Sequence, residues 1–312
     1  MSTGAVAGMV VCLDGSADSE AALRWAVRDA VLRDQHLTLV HVISPMIGGF
    51  AGIGMPTPVL AQDLTEQQRA RARDVLDDSR SLASAVAGDV TLRIDTAAPI
   101  GAVVPTLVEL STRTGMLVLG GRGTGAFDRL LLGSVSTALA HHAHCPVTIV
   151  RAQGPKPAAH APVLLGVDGS PGSLPAIDLA FEEAARRGAE LVALYAHSDS
   201  DTTEPTSVPQ WVSSSQAEHE LMQLLSPYRE RFPDVEVRYC TVPDRPARHL
   251  IERAESAQLV IVGSRGRGGI AGMLLGSVST ALIHATTTPV IIARPDPTHL
   301  EHRPTETVAA QS

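Results

Sequence analysis

The sequence predicts an α/β fold built from two tandem, doubly wound, five-stranded parallel sheets with helices on both faces. Three observations carry that expectation. The nonapeptide LLGSVSTAL stands at Leu131–Leu139 and again at Leu274–Leu282, an offset of 143 in a chain of 312, so the chain is a duplicated domain. Hydrophobic residues make up 44% and aromatics only 3%, so the core is built from Val, Leu, Ile and Ala, as in parallel sheets covered on both faces. Short apolar runs alternate with helical stretches in each half, and that alternation implies parallel pairing through right-handed crossovers.

Taken in order, Met9–Leu13 is an apolar strand that stops at Asp14-Gly15-Ser16, and Val163–Val167 repeats it before Asp168-Gly169-Ser170. Helices follow over Ser19–Asp34 and Gly172–Gly188, where Ala22, Ala26 and Ala30, and Leu179, Ala180 and Ala184, form apolar stripes. Gly188 marks a helix end. Further strands are expected at Leu37–Ile43, Val90–Ile94, Met116–Leu119 and Val147–Val150. Their counterparts are Leu191–Ala196, Val235–Tyr239, Leu259–Val262 and Val290–Ala293. Asp14 and Gly120 are 106 positions apart, against 95 between Asp168 and Gly263, so the first half carries 11 more. The Gly- and Met-rich stretch Met46–Pro58 is where that insertion is expected, as a loop. The domains run over 1–152 and 162–295, joined by a linker at 153–161, with a polar, proline-broken, disordered tail at 296–312.

Composition removes several function classes. A net charge of −8 without a Lys/Arg tract leaves no electrostatic footprint for nucleic acid. Lys156 is the only lysine, so neither the G-x4-G-K-[ST] phosphate loop nor Schiff-base chemistry is available. Cys12, Cys145 and Cys240 have no CxxC spacing and read as small apolar residues of a reducing compartment. No cation precedes Arg24 and no apolar run approaches the roughly 18 residues of a membrane span, so the expectation is a cytoplasmic protein with no membrane partner.

Chemistry concentrates where strands end. In an open parallel sheet, ligands bind at the carboxyl ends of the strands where the connection order reverses. Asp14 and Asp168 end the first strand of each half. Gly120-Gly121-Arg122-Gly123 and Gly263-Ser264-Arg265-Gly266 end the fourth, and nine residues later Gly133-Ser134 and Gly276-Ser277 open a helix. Glycines allow sharp turns and close approach, and exposed backbone N–H groups at a helix start attract anions. Ser134, Ser136, Ser277 and Ser279 add hydroxyl donors, and Arg122, Arg265 and Arg267 add charge, so a triphosphate with Mg²⁺ is well matched. A glycine turn and a Gly-Ser cap are ordinary features singly; their retention in both copies is what favours a phosphate ligand.

The G-x2-G-x9-G-[ST] spacing, the aspartate after the first strand and the Pro-Val pairs at 146–147 and 289–290 resemble the universal stress proteins, in particular their tandem, two-domain, ATP-binding members. The likeness spans about Gly8 to Arg294. It implies the adenine nucleotide alpha hydrolase-like fold, with adenine held by backbone near the second strand, at Val42 and Ala196 when the copies are aligned on their aspartates. It further implies that Asp14 and Asp168 hold the adenosine end. Gly120, Gly121, Arg122, Gly123 and Thr124, with Gly263, Ser264, Arg265, Gly266 and Arg267, pass beneath the phosphates. Gly133-Ser134-Val135-Ser136 and Gly276-Ser277-Val278-Ser279 close around them. Gly166 provides close ligand approach in the second half, whereas Cys12 crowds the first. The family's dimer contact is the last strand, which a tandem chain can satisfy internally; a further homodimer and a role in stress response, such as to hypoxia, are also implied.

The same residues argue against other readings. A nucleophile elbow needs glycine where Asp168 stands. The cluster His141, His142, His144 and Cys145 is not repeated around His284, which disfavours a metal site. An ATP pyrophosphatase would carry Ser-Gly-Gly ahead of Leu13-Asp14-Gly15-Ser16. Between a nucleotide-binding regulatory module and a slow ATPase or phosphotransferase, the absence of a base near the phosphate loop favours the module.

Overall fold

Each half builds its sheet around the strand that leads into the aspartate turn. The structure, a computed structural model, describes residues 8–44, 58–123, 132–154, 158, 160–197, 214–267 and 274–294. In the first half β1 (Met9–Cys12), α1 (Ala17–Arg33), β2 (Leu37–Val40), α2 (Pro58–Ala87), β3 (Ile94–Ala97), α3 (Val103–Leu110), β4 (Met116–Gly120), α4 (Ser134–His142) and β5 (Val147–Val150) follow in order. The second half repeats them as β6 (Val163–Val167), α5 (Leu174–Arg187), β7 (Leu191–His197), α6 (Ser214–Arg231), β8 (Val237–Pro243), α7 (Pro246–Ala254), β9 (Leu259–Gly263), α8 (Ser277–Ala285) and β10 (Val290–Ala293).

The strand order is β3-β2-β1-β4-β5-β10-β9-β6-β7-β8, so the expected two sheets are one continuous ten-stranded sheet. All pairings described within a half are parallel, and β5 meets β10 antiparallel. Thr148 faces Ile291, Val147 faces Ile292 and Ile149 faces Val290. Thr148 and Ile291 are equivalent positions of the two copies, so a local twofold axis passes between them. The edge that would invite another strand is satisfied inside the chain.

Alternation along the strands sorts the core into two layers. Met9 and Val11 point into one, with Ala22, Ala26 and Leu76 of α1 and α2 and Ile177 and Leu221 of α5 and α6. Val10 points into the other, with Leu107 and Leu139 of α3 and α4 and Leu250 and Leu282 of α7 and α8. Both layers run through the two halves. Ser16 caps α1 by accepting the Ser19 N–H at 3.1 Å. Helix α1 ends at Asp34 and α5 at Gly188, both left-handed.

Three expectations are corrected. The third strand is Ile94–Ala97 rather than Val90–Ile94, and Val90 is exposed; α2 continues to Ala87, and a left-handed Gly88 turns the chain before the strand begins. Strand β8 is likewise displaced, to Val237–Pro243. The insertion is not a longer loop. Segments 41–57 and 198–213, between strand and helix, are of nearly equal length, whereas α2 has 30 residues and α6 has 18. Residues 46–57, Thr124, residues 155–157 and 159 of the linker, and the tail from 295 lie outside the described residues. Among the described residues no helix is long and apolar enough to cross a membrane.

Candidate functional site

The topology brings the two predicted segments together in each half. Strand β1 lies between β2 and β4, with Cys12 beside Val40 and Leu119, so Asp14 and the Gly120 loop leave the sheet side by side. Gly166 lies between Leu194 and Val262 in the same way. The order reverses at these strands, which is where a crevice opens. Each aspartate is fixed by its own turn. Asp14 Oδ1 accepts the Ser16 N–H at 3.0 Å, and Asp168 Oδ1 accepts the Ser170 N–H at 2.9 Å and its hydroxyl at 2.7 Å.

The glycine loops pack against these aspartates. A Cβ on Gly123 would stand 2.5 Å from Asp14 Oδ2, and one on Gly120 would stand 2.6 Å from the backbone carbon of Asp18. The second half is alike: the Arg267 N–H donates to Asp168 Oδ2 at 2.7 Å, and a Cβ on Gly263 would meet the Gly172 carbonyl at 2.5 Å. The glycines therefore clear the start of the first helix and the aspartate as well as leaving the backbone open. Asp18, which sequence reasoning missed, ties the first loop down: its carboxylate accepts the N–H groups of Arg122 and Ala152, both at 2.9 Å.

The loop and the helix that follows it are latched to each other. Gly133 N–H donates to the Gly121 carbonyl at 2.7 Å and Gly276 N–H to that of Ser264 at 2.8 Å. The hydroxyls of Ser136 and Ser279, buried in α4 and α8, donate to the Gly120 and Gly263 carbonyls at 2.7 Å each. This corrects their expected role: they hold the loop against the helix and are not free to donate to a ligand. The caps Gly133 and Gly276 have no side chain to accept the first-turn N–H groups of α4 and α8. Those donors face outward beside Ser134 and Ser277, as an anion site requires.

In the first half these pieces enclose a cleft of about 540 Å³. Its strand-end wall is Cys12, Leu13, Asp14 and Val40–Val42; its loop wall is Gly120, Arg122 and Gly123; its helix wall is Gly133–Ser136. Arg122 Nε is buried and has no hydrogen-bond partner among the described residues. Cys12 faces this space as an inert thiol, because burial, and then Cys145, push it up to about 12. His41 is held against the strand end by its Nδ1, 2.9 Å from the Leu13 carbonyl.

The two halves differ, but not in the way that Gly166 and Cys12 led one to expect. Gly166 does not leave space for a ligand: a Cβ there would stand 2.8 Å from Leu250 Cδ1 and 2.9 Å from Val262 Cγ1, so those side chains already fill the place. Tyr195 replaces His41. It accepts from Arg267 NH2 at 2.5 Å, and the guanidinium lies 5.3 Å from its ring centre, so Arg267 covers the tyrosine. Ala196 is half-buried on β7, while Val278 packs beside the core and Arg265 is exposed in the loop. Tyr195 carried no signal beyond its place 27 residues after Asp168; Asp18 was legible only as an acid in the first turn of α1.

Comparison with known proteins agrees with the duplication. The family model described as "Universal stress protein family" matches residues 8–151 and again 160–294. Universal stress protein Rv2005c of Mycobacterium tuberculosis is 44% identical over 291 residues, covering 92% of this chain and 97% of its own. Rv2623 of the same organism is 43% identical over 293 residues, covering 92% and 96%. A solved universal stress protein from Archaeoglobus fulgidus superposes with a TM-score of 0.69 at 20% identity, covering 93% of this chain and 99% of its own, which is a likeness of fold. With both halves matched and such relatives spanning nearly its whole length, the chain belongs to the universal stress protein family, with two copies of its domain in tandem.

Proposed function

We propose that the chain binds ATP at the carboxyl edge of each half-sheet and acts as a nucleotide-dependent regulatory module in stress response. The observation that carries this reading is the first-half cleft, whose volume suits a nucleotide and onto which the aspartate turn, the glycine loop and the open start of α4 converge. Adenine lies against the backbone at Val42, and at Ala196 in the second half. Asp14 and Asp168 receive the ribose, being already oriented by their turns. The phosphates lie on the loops from Gly120 and Gly263 and at the amino ends of α4 and α8, where dipole and N–H groups offset their charge.

Arg122 supplies a further donor, since its buried Nε has no other partner among the described residues. Mg²⁺ arrives with the triphosphate and is held chiefly by phosphate oxygens and water, because the nearby Asp18 carboxylate already accepts two backbone N–H groups. Binding here needs no chemistry, and hydrolysis, lacking a placed base, is slow. A homodimer of the chain uses a surface other than β5 and β10, which are paired within it.

The test is the nucleotide content of the purified protein, released by denaturation and resolved by ion exchange. We expect intact ATP, near two per chain after incubation with Mg-ATP. No nucleotide before or after incubation would overturn the reading, and ADP in place of ATP would favour an ATPase.

A further inference from the structure

Two arginines join the halves across the β5–β10 seam. Arg151 follows β5 and Arg294 follows β10, at equivalent positions of the two copies. Each reaches across the local twofold axis. Arg151 NH2 donates to the carbonyls of Ile283 and His284 at 2.6 and 3.1 Å, in the last turn of α8. Arg294 NH2 donates to the carbonyl of Ala140, near the end of α4.

Arg151 also lies against the glycine loop of its own half, and the residue before Arg294 is bonded to the second loop. A Cβ on Gly121 would stand 2.9 Å from Arg151 Cγ and 3.2 Å from its Nε. In the second half the Ser264 N–H donates to the Ala293 carbonyl, directly before Arg294, at 3.1 Å. Burial disfavours the charge on Arg151, and the loop cation Arg122 disfavours it further, against the opposite pull of Asp18. Burial does the same to Arg294, with Arg265 adding to it against the opposite pull of Cys145.

The Arg151 side chain thus stands between the glycine loop of the first half and the carboxyl end of α8, and Arg294 holds the carboxyl end of α4 from the equivalent position after β10. Helix α4 runs from Ser134 at the first site to the carbonyl held by Arg294. Helix α8 runs from Ser277 at the second site to the carbonyls held by Arg151. We infer that Arg151 and Arg294 are positioning residues that couple the two sites, so that a ligand in one half strengthens binding in the other.

The inference rests on the nucleotide reading above. A cation at a helix carboxyl end complements the dipole and satisfies carbonyls that would otherwise be buried without a donor. The helix is then held with its amino-terminal N–H groups aimed at the phosphates. Phosphate on the Gly120 loop offsets the repulsion between Arg122 and Arg151, which strengthens the hold of Arg151 on α8. The coupling is therefore positive, and by linkage it acts equally in both directions.

Calorimetric titration of the full chain with Mg-ATP tests this. Gly123→Val closes the first site and Gly266→Val the second, so each background reports one site. Arg151→Met keeps the stem beneath Gly121 and removes the guanidinium. With both sites open we expect the second Mg-ATP to bind about fivefold more tightly than the same site binds it in a single-site background, and Arg151→Met to remove most of that gain. In either single-site background Arg151→Met should leave the remaining site within about twofold of its parent. Arg294→Met should act alike, and Arg151→Lys should restore most of the loss. A general loosening of the protein weakens the single-site backgrounds as well, so a loss confined to the chain with both sites open is the deciding readout. Losses in the single-site backgrounds as large as in the two-site chain, or no loss, overturn the coupling. Failure of the unaltered chain to bind Mg-ATP overturns the nucleotide reading itself, and the coupling with it.

Discussion

Gly120 and Gly123 are glycines for different reasons, and the same substitution should separate them. At Gly120 a methyl group meets the backbone at the start of α1, 2.6 Å away, and backbone cannot yield cheaply. Gly120→Ala should lower stability by roughly 1–3 kcal/mol, read by chemical denaturation. At Gly123 the methyl group meets only the end of the Asp14 side chain, 2.5 Å away, which can swing aside. Gly123→Ala should change stability by less than about 0.5 kcal/mol yet weaken ATP at the first site about tenfold, because the displaced carboxylate is the one proposed above to receive the ribose. Equal effects on stability would contradict this division. These glycines and the two aspartates were legible because duplication shows which residues recur. Arg151 and Arg294 recur at the same offset but sit in no motif, and only the fold shows that they reach across the axis. Ser136 and Ser279 were misread because sequence does not reveal which way a hydroxyl turns.

Between elements, the contact of α1 with α5 holds four charges. Asp29 and Glu183 are almost fully buried, and Arg33 and Arg187 each bond to both of them. Burial, and then the facing Glu183, push Asp29 up to about 6. Burial works the same way on Glu183, but Arg33 and Arg187 outweigh it and hold that carboxyl below its usual range. A carboxyl whose folded value is raised contributes stability that is lost as pH rises through that value, so Asp29 favours folding increasingly as pH falls through 6. Glu183 acts oppositely and only at lower pH, where its carboxylate begins to be protonated. The wild type should therefore gain on the order of 1–2 kcal/mol from about pH 7.5 to about pH 5 relative to Asp29→Asn, measured by denaturation at each pH. A constant difference would show that Asp29 does not titrate there. None of this was legible, since i,i+4 acid–base pairs usually lie on solvated faces. Element types were legible from periodicity, but β3 was displaced because it is an edge strand with no buried residue to mark its register. The added length of α2 was missed because a Gly-rich segment next to it looked like the natural home of an insertion.

Over the whole molecule, the sheet is continuous because β5 and β10, each buried along its length, pair with each other. A chain cut to residues 1–152 would expose β5 as an unpaired apolar edge. It should sediment as a dimer that rebuilds the antiparallel join with a second copy of itself, and a soluble monomer would count against this edge as the organising contact. The doubling of the domain and the switch-point crevice were legible at this scale, while the divergence of the two crevices was only glimpsed at Cys12 and Gly166. In a dimer of identical chains, any substitution enters both clefts at once, so the clefts cannot be tuned apart. Joining the halves in one chain removes that constraint. On the proposed reading His41 faces one nucleotide while Tyr195 and Arg267 face the other, and a single polypeptide would sense two concentration ranges with one kind of pocket.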